Sequence, residues 1–191
     1  MLDLLRILLP DTELLVVSGS VPPGIRPTIY AEMIALARAA GVRTVLDASG
    51  ELLRQGLAAR PWLVKPNRLE METLLGRPLP DLAAAGEAAR SLLGNGTEVV
   101  CLSLGGDGAL LADTDGTWFC GNLDIPVLGV QGAGDSMVAG LCAAHRQGLS
   151  GAEMLQWGVA AAHASLILPG TELCRAEDFG RFLKQLKAEK C

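Results

Sequence analysis

The chain has 191 residues, of which 50% are hydrophobic and 19% are charged, so it has enough apolar material for a substantial core and is not a disordered segment. Its net charge of −5 and the scatter of its 16 Lys and Arg residues argue against a nucleic-acid-binding surface. No apolar run approaches the length of a membrane span, so no membrane partner is expected.

Short apolar runs and amphipathic segments alternate through the first half of the chain. The runs predict buried strands, because strands covered on both faces are apolar throughout. The segments between them have apolar residues at helical spacing. We predict strands at 14–17, 42–46, 62–64 and 98–104, and helices at 2–9, 28–40, 52–59, 68–75 and 82–93. This alternation predicts an α/β fold with a mainly parallel sheet and helices on both faces.

The second half of the chain is organised differently. Short apolar runs at 109–112, 117–120 and 125–128 predict strands joined by turns, which would form an antiparallel edge. The segments 135–147, 151–166 and 176–187 predict helices. Because no linker or internal repeat interrupts the sequence, we expect residues 1–191 to form a single unit.

Polar or glycine-rich segments follow directly on several predicted strands. They begin at Ser18, Asp47, Lys65, Ser103 and Gly132. Ligands of open α/β sheets bind beyond the carboxyl ends of the strands. These segments are therefore expected to converge on one edge of the sheet.

A glycine-rich segment, Gly132-Ala133-Gly134-Asp135, stands at the start of a predicted helix. The free amides and the dipole of a helix start favour an anion, and glycines let that anion approach the backbone closely. A carboxylate at this place is poorly suited to binding phosphate. It is well placed to take a proton from a hydroxyl that attacks phosphate. The spacing alone leaves a second interpretation open, in which Asp135 only caps the helix.

Two further segments also allow two interpretations. The first is Ser103-Leu104-Gly105-Gly106-Asp107-Gly108. Its amides could bind nucleotide phosphates, or it could be a tight turn between strands. The other contains Lys65, Asn67 and Glu70. Asn67 and Glu70 match a capping box, and their oxygens also suit Mg²⁺, directly or through water. Both functions are compatible, since capping would orient the two side chains.

Together these motifs resemble the phosphofructokinase B family of ribokinase-like sugar kinases over nearly the whole chain. They occur in the family's order, as Ser18-Gly19-Ser20-Val21-Pro22-Pro23-Gly24, Asp47-Ala48-Ser49-Gly50, Lys65-Pro66-Asn67, Ser103-Leu104-Gly105 and Gly132-Ala133-Gly134-Asp135-Ser136-Met137. The resemblance implies a three-layer ribokinase-like fold and ATP-dependent phosphorylation of a phosphorylated ketohexose. The expected reaction converts fructose 6-phosphate to fructose 1,6-bisphosphate in glycolysis. 1-Phosphofructokinase and tagatose-6-phosphate kinase activities are the alternatives.

The resemblance also implies roles for individual residues. Asp135 is the expected base and also contacts the sugar, and the amides of Gly132, Ala133 and Gly134 are the expected anion hole. Ser20 is expected to touch the sugar phosphate. The expected ATP contacts are Lys65, Asn67, Ser103, Leu104, Gly105, Gly106, Asp107, Gly108, Gly134 and, against adenine, Val159. The expected metal contacts are Asn67 and Glu70 for Mg²⁺, and the segments around Gln131 and Gly170 for a monovalent cation such as K⁺.

Departures from the family pattern qualify these expectations. Val130-Gln131 stands where the family usually has a threonine. His163 lies where small residues are usual, and such a lone histidine is expected to be structural. The family's first sugar-binding strand, its GG-x-x-x-N segment and its β lid have no counterpart here. We therefore expect a chain truncated at its N-terminus that supplies the ATP side of the site, with a homodimer expected for the intact enzyme.

Three functional hypotheses follow: a phosphofructokinase-type kinase, a non-catalytic nucleotide-binding module, and an interaction domain that uses an exposed sheet edge. The five cysteines are unevenly spaced and lack a CxxC pair. This pattern predicts free thiols and a cytoplasmic location.

Overall fold

The computed structural model describes residues 1–94, 96–170 and 172–191. The chain divides into two compact units, Met1–Leu102 and Ser103–Cys191. Within the described ranges, every helix is too short or too polar to cross a membrane. All five cysteines are free thiols.

The first unit alternates helices with parallel strands, as the hydrophobic pattern predicts. Its strands pair in chain order and are β1 (Leu14–Ser18), β2 (Arg43–Asp47), β3 (Leu63–Val64) and β4 (Val99–Ser103). The last residue of β4 begins the second unit. The helices are α1 (Leu2–Leu8), α2 (Ile29–Ala39), α3 (Gly50–Ala58), α4 (Arg68–Leu75) and α5 (Leu82–Ser91). Each predicted strand and helix of this unit is present, with ends that differ by at most two residues.

Burial in the first unit follows the position of each strand. Leu46, Leu63 and Val100 are fully buried on the central strands β2, β3 and β4, as expected for strands covered on both faces. In β1, Val17 is 2% exposed whereas Val16 is 41% exposed. One face of β1 therefore packs on the core while the other is open.

The N-terminal helix α1 is held by a small apolar cluster of its own. Leu5 and Leu9 pack with Ala37 of α2 and with Val42, which precedes β2. Burying these side chains stabilises the docked helix by about 1.5–3 kcal/mol for each large residue. A helix of seven residues would not be stable without this packing.

The second unit combines helices with antiparallel strands. Its strands are β5 (Ala109–Asp113), β6 (Gly116–Cys120) and β7 (Ala188–Lys190), with β6 paired to both of the others. Its helices are α6 (Ala133–Arg146), α7 (Gly151–Leu166) and α8 (Ala176–Leu183). The predicted antiparallel arrangement of 109–112 and 117–120 is confirmed.

Two predictions for the second unit are wrong. The segment 125–128 is not a strand. Its backbone instead joins the end of α7, where the Leu128 amide donates to the Leu166 carbonyl at 2.8 Å, and Pro126 lacks the amide that a strand ladder needs. The helix predicted over 176–187 ends at Leu183, and β7 follows it. Strand β7 depends on pairing with β6, a tertiary contact that local sequence does not encode.

Helices α6 and α7 approach each other closely at Gly140. A Cβ atom built on Gly140 would lie 2.5 Å from the Trp157 carbonyl oxygen and 2.9 Å from the Ala161 Cβ. Nearby, a Cβ on Gly158 would lie 3.0 Å from Leu141 Cδ2. The two helices therefore touch through backbone atoms, which leaves no room for a side chain at position 140.

We predict that Gly140→Ala destabilises the protein. The added methyl group would clash with backbone, and overpacking of this kind costs about 1–3 kcal/mol. Gly180→Ala is the matched control, because Gly180 lies in α8 with nothing within 4 Å of the new Cβ. In urea unfolding, Gly140→Ala should lower the midpoint while Gly180→Ala should keep or raise it. Equal midpoints for the two variants would contradict the packing described here.

Candidate active site

The carboxyl ends of the first unit's strands bring three of the predicted segments together. The Gly19 amide donates to the Asp47 carbonyl at 2.9 Å, and the Lys65 amide donates to the Leu46 carbonyl at 2.9 Å. The Tyr30 hydroxyl donates to the Ser18 carbonyl at 2.8 Å. Burial raises the pKa of this hydroxyl. The predicted convergence therefore holds for the segments that begin at Ser18, Asp47 and Lys65. The parallel strands force this arrangement.

Lys65 and Asp47 form a buried ion pair at this edge. The Lys65 Nζ lies 3.0 Å from Asp47 Oδ1, and the two side chains are 6% and 17% exposed. The pair satisfies a charge that would otherwise be costly to bury. The charge of Lys65 is thus already engaged within the protein, and its predicted contact with nucleotide phosphates stays a prediction. Ser20, the predicted sugar-phosphate contact, is exposed.

Asn67 and Glu70 form a complete capping box at the start of α4. The Glu70 amide donates to Asn67 Oδ1 at 2.9 Å, and the Asn67 amide donates to Glu70 Oε2 at 2.8 Å. This geometry satisfies amides that the helix start leaves without intrahelical partners. Glu70 keeps its second carboxylate oxygen, a hard ligand that suits Mg²⁺ directly or through water. The residues therefore fit the predicted metal role while also capping the helix.

The glycine-rich segment 103–108 is a tight turn between β4 and β5. The Leu104 amide donates to the Gly108 carbonyl at 2.8 Å. Gly108 has a φ of 115°, and a Cβ there would lie 2.2 Å from the Cys120 carbonyl oxygen, so glycine is required. Asn122, which the sequence analysis did not single out, donates from Nδ2 to the Gly105 carbonyl at 2.9 Å. Gly105, Gly106 and Asp107 are exposed, and their predicted contact with ATP stays a prediction.

The start of α6 differs from that of α4. Its N-cap is Gly132, with a φ of 79°, and no side chain from the described residues caps it. Asp135 lies in the first turn, is exposed, and accepts no hydrogen bond from the described part of the chain. The capping interpretation of Asp135 is therefore not supported. The first turn of α6 has amides without intrahelical partners and an exposed carboxylate beside them.

In α7, Val159 and His163 are both 1% exposed. The His163 ring links α7 to the segment that precedes α6. Its Nδ1 lies 2.8 Å from the Val159 carbonyl, and its Nε2 accepts from the Leu123 amide at 3.1 Å. These bonds require a neutral ring with the proton on Nδ1. His163 is thus a structural residue, and the predicted contact between Val159 and adenine stays a prediction.

Backbone carbonyls gather where the monovalent-cation loop was predicted. A Cβ on Gly129 would lie 2.8 Å from the Leu168 carbonyl oxygen and 3.2 Å from that of Gly170. Gln131 and Gly170 themselves are exposed. Carbonyl oxygens suit a hard cation. Within the described ranges, no group of three or more His, Cys, Asp or Glu side chains could hold a metal ion.

Comparison with protein families shows which family the chain belongs to. Residues 2–178 match the pfkB family of carbohydrate kinases. The chain belongs to this family. The resemblance predicted from the five motifs is therefore confirmed.

Several members of the pfkB family are similar to the chain in sequence. The 1-phosphofructokinase of Haemophilus influenzae is 40% identical over 78% of this chain and 48% of its own length. The 1-phosphofructokinase of Escherichia coli K12 is 41% identical over 68% of this chain and 41% of its own length. The chain thus spans about half the length of the curated relatives that it matches.

Solved structures confirm the ribokinase-like α/β fold. Phosphofructokinase-2 from E. coli in complex with potassium superposes with a TM-score of 0.87 at 32% identity, over 96% of this chain and 62% of that one. The same protein in complex with fructose-6-phosphate superposes with a TM-score of 0.86 at 31% identity, over 96% of this chain and 60% of that one. A tetrameric inhibited form of that protein is equally similar, with a TM-score of 0.86 at 31% identity over 96% of this chain and 60% of that one.

We predict that Lys65→Met lowers stability by about 3 kcal/mol, because removing one partner of a largely buried ion pair is strongly destabilising. Arg6→Met is the control. It breaks an ion pair with Asp3 whose side chains are 55% and 93% exposed, so its effect should be below about 0.5 kcal/mol. Urea unfolding measures both changes, and a loss for Lys65→Met no greater than for Arg6→Met would contradict the role of the buried pair.

We also predict that His163 makes stability depend on pH. Burial lowers the pKa of His163 below its ordinary value of 6.5. Between the lowered folded pKa and 6.5, the unfolded chain binds a proton that the folded chain does not, so the free energy of unfolding falls as pH falls. The melting temperature should drop from pH 7.5 to 5.5, and the drop should be smaller in His163→Gln.

His145→Gln is the control for this experiment, since it removes the other of the two histidines in the chain. Its melting temperature should drop more between pH 7.5 and 5.5 than that of His163→Gln, because only His163→Gln removes the fully buried ring. Parallel melting-temperature curves for the parent and His163→Gln would exclude His163 as the source of the dependence.

Proposed function

We propose that the chain carries the ATP-binding and catalytic part of a kinase that phosphorylates a ketohexose phosphate, with fructose 1-phosphate as the first candidate acceptor. The observation that carries this proposal is the start of α6. The amides of its first turn have no side-chain cap, and the Asp135 carboxylate stands exposed beside them. Membership of the pfkB family supports the reaction class.

In the proposed mechanism, the first turn of α6 stabilises the transferring phosphoryl group. The amides of Gly132, Ala133 and Gly134 act as the anion hole, helped by the positive end of the helix dipole. Asp135 takes the proton from the acceptor hydroxyl as that oxygen attacks the γ-phosphorus of ATP, and the bond to the β–γ bridging oxygen breaks to release ADP.

ATP, Mg²⁺ and K⁺ are the proposed cofactors. Asn67 and Glu70 are the candidates to hold Mg²⁺, which neutralises charge on the nucleotide phosphates. The proposed nucleotide contacts are those implied by the family, from Lys65, Asn67, residues 103–108, Gly134 and Val159. The complex of E. coli phosphofructokinase-2 with potassium supports K⁺ as a cofactor, and its proposed contacts are the segments around Gln131 and Gly170. An oligomer is the proposed assembly, since a tetrameric form of that protein exists.

Fructose 6-phosphate is the second candidate acceptor. The sequence motifs alone favour it, and E. coli phosphofructokinase-2 binds it in a structure that resembles this chain. We place fructose 1-phosphate first because the 1-phosphofructokinases are 40–41% identical over 68–78% of this chain, whereas E. coli phosphofructokinase-2 is 31% identical over 96% of it. Ser20 is the proposed contact with the sugar phosphate.

We predict that the protein releases ADP from ATP faster with fructose 1-phosphate than with fructose 6-phosphate, and that Asp135→Asn lowers kcat by about 10²–10⁴-fold. A coupled ADP assay measures the rates with each sugar, and calorimetry measures ATP affinity. The affinity for ATP should stay within a few-fold in the variant, because Asp135 acts on the acceptor and not on the nucleotide.

The control for this variant is Asp115→Asn, which makes the same chemical change in the turn between β5 and β6 and should leave kcat unchanged. Near-full turnover of Asp135→Asn would refute the role of Asp135. ATP binding by the parent without turnover on either sugar would favour a non-catalytic nucleotide-binding module. Faster turnover with fructose 6-phosphate would reverse the order of the two acceptors.

A further inference from the structure

A cavity of about 280 Å³ lies at the amino ends of the first unit's strands. Arg43 begins β2, Trp62 immediately precedes β3, and Glu98 immediately precedes β4. The amides of Glu98 and Val99 both donate to the Trp62 carbonyl, at 2.9 and 3.1 Å, so the walls are fixed to one another. The cavity is at the opposite end of these strands from Lys65 and Asp47, and it has no part in the proposed kinase mechanism.

The charge of the lining sets this cavity apart from the rest of the chain. Three arginines, Arg38, Arg43 and Arg60, line the cavity together with one glutamate, Glu98. The local charge is therefore +2 in a chain whose net charge is −5. These four charged side chains are exposed, and an excess of positive charge around an open cavity attracts anions.

The three arginines are engaged differently. Arg43 lies over the Trp62 ring, 5.1 Å from its centroid, and is 3.6 Å from Glu98. Arg38 and Arg60 form no ion pair with any carboxylate in the described part of the chain. Their guanidinium groups are the donors left for a ligand, and the planar arrangement of their N–H groups matches the oxygens of a phosphate.

The backbone at Arg60 is a second, independent observation. Arg60 directly follows Ala59, the C-cap of α3, and it has a φ of 67°. Glycine is the usual residue at this position, because a side chain is strained in the left-handed region. Gly96 packs against it so closely that a Cβ on Gly96 would lie 3.0 Å from Arg60 Cβ. The chain thus keeps an arginine where glycine would fold more easily, and that arginine lines the cavity.

We propose that this cavity is a binding site for a small phosphorylated metabolite. Arg38 and Arg60 receive the phosphate, while Arg43 and Trp62 form the wall behind it. A volume of about 280 Å³ is at the lower limit of ligand pockets, which suits a sugar phosphate better than a dinucleotide.

The test uses the indole N–H resonance of Trp62 in the whole 191-residue chain, assigned with Trp62→Phe. Inorganic phosphate, glucose 6-phosphate and glucose are titrated separately, with sodium chloride holding the ionic strength constant. We expect a saturable shift of the Trp62 resonance with phosphate and with glucose 6-phosphate, and none with glucose. A shift that is absent or does not saturate would overturn the proposal.

Matched variants test which side chains bind the anion. Arg38→Gln and Arg60→Gly should each weaken phosphate binding by about tenfold, the loss expected for one charged hydrogen bond. Glu98→Gln should strengthen it several-fold, because it removes the opposing charge. Arg77→Gln should change nothing, since this exposed arginine lies outside the cavity.

Arg60→Gly also separates binding from folding. Because glycine takes a positive φ without strain, this variant should keep or raise the melting temperature while its affinity for phosphate falls. Equal phosphate affinities for Arg60→Gly and Arg77→Gln would overturn the assignment of the site.

Discussion

The candidate active site depends on amides that no described side chain caps at the start of α6. A helix start has four such amides, and a protein must satisfy them with side chains, water or a ligand. At α4 the Asn67–Glu70 box closes the helix, and at α5 the Asp81 side chain accepts from the Ala84 amide. At α6 the N-cap is Gly132 and no described side chain caps it. Helices α2, α3, α7 and α8 also lack a side-chain cap. What sets α6 apart is its glycine N-cap with a φ of 79° and the exposed Asp135 in its first turn.

The buried pair of Lys65 and Asp47 has a related role at the carboxyl ends of β2 and β3. Burying the charge of a lysine destabilises a protein unless a carboxylate pairs with it. Here Asp47 Oδ1 lies 3.0 Å from Lys65 Nζ. The pair ties Lys65, two residues before the α4 capping box, to Asp47 at the end of β2. The position of Asn67 and Glu70 is therefore set by an ionic contact as well as by strand pairing.

Much of this arrangement could be predicted from the sequence, because it depends on local patterns. Alternating apolar runs predicted the parallel strands, and Gly132 through Asp135 predicted a helix start. What could not be predicted depends on distant contacts. The bond between His163 and the Leu123 amide joins residues 40 positions apart, and β7 exists only where β6 lies beside it. Arg60 escaped notice because only its φ angle distinguishes it from other surface arginines.

The contact at Gly140 has a consequence for how the second unit can change. Because α6 and α7 meet there through backbone atoms, their spacing cannot adjust by exchanging one side chain for another. The spacing between α6, which carries Asp135, and α7, which carries Val159, is therefore fixed at Gly140. Substitutions around Val159, the proposed adenine contact, would therefore leave the position of Asp135, the proposed base, unchanged.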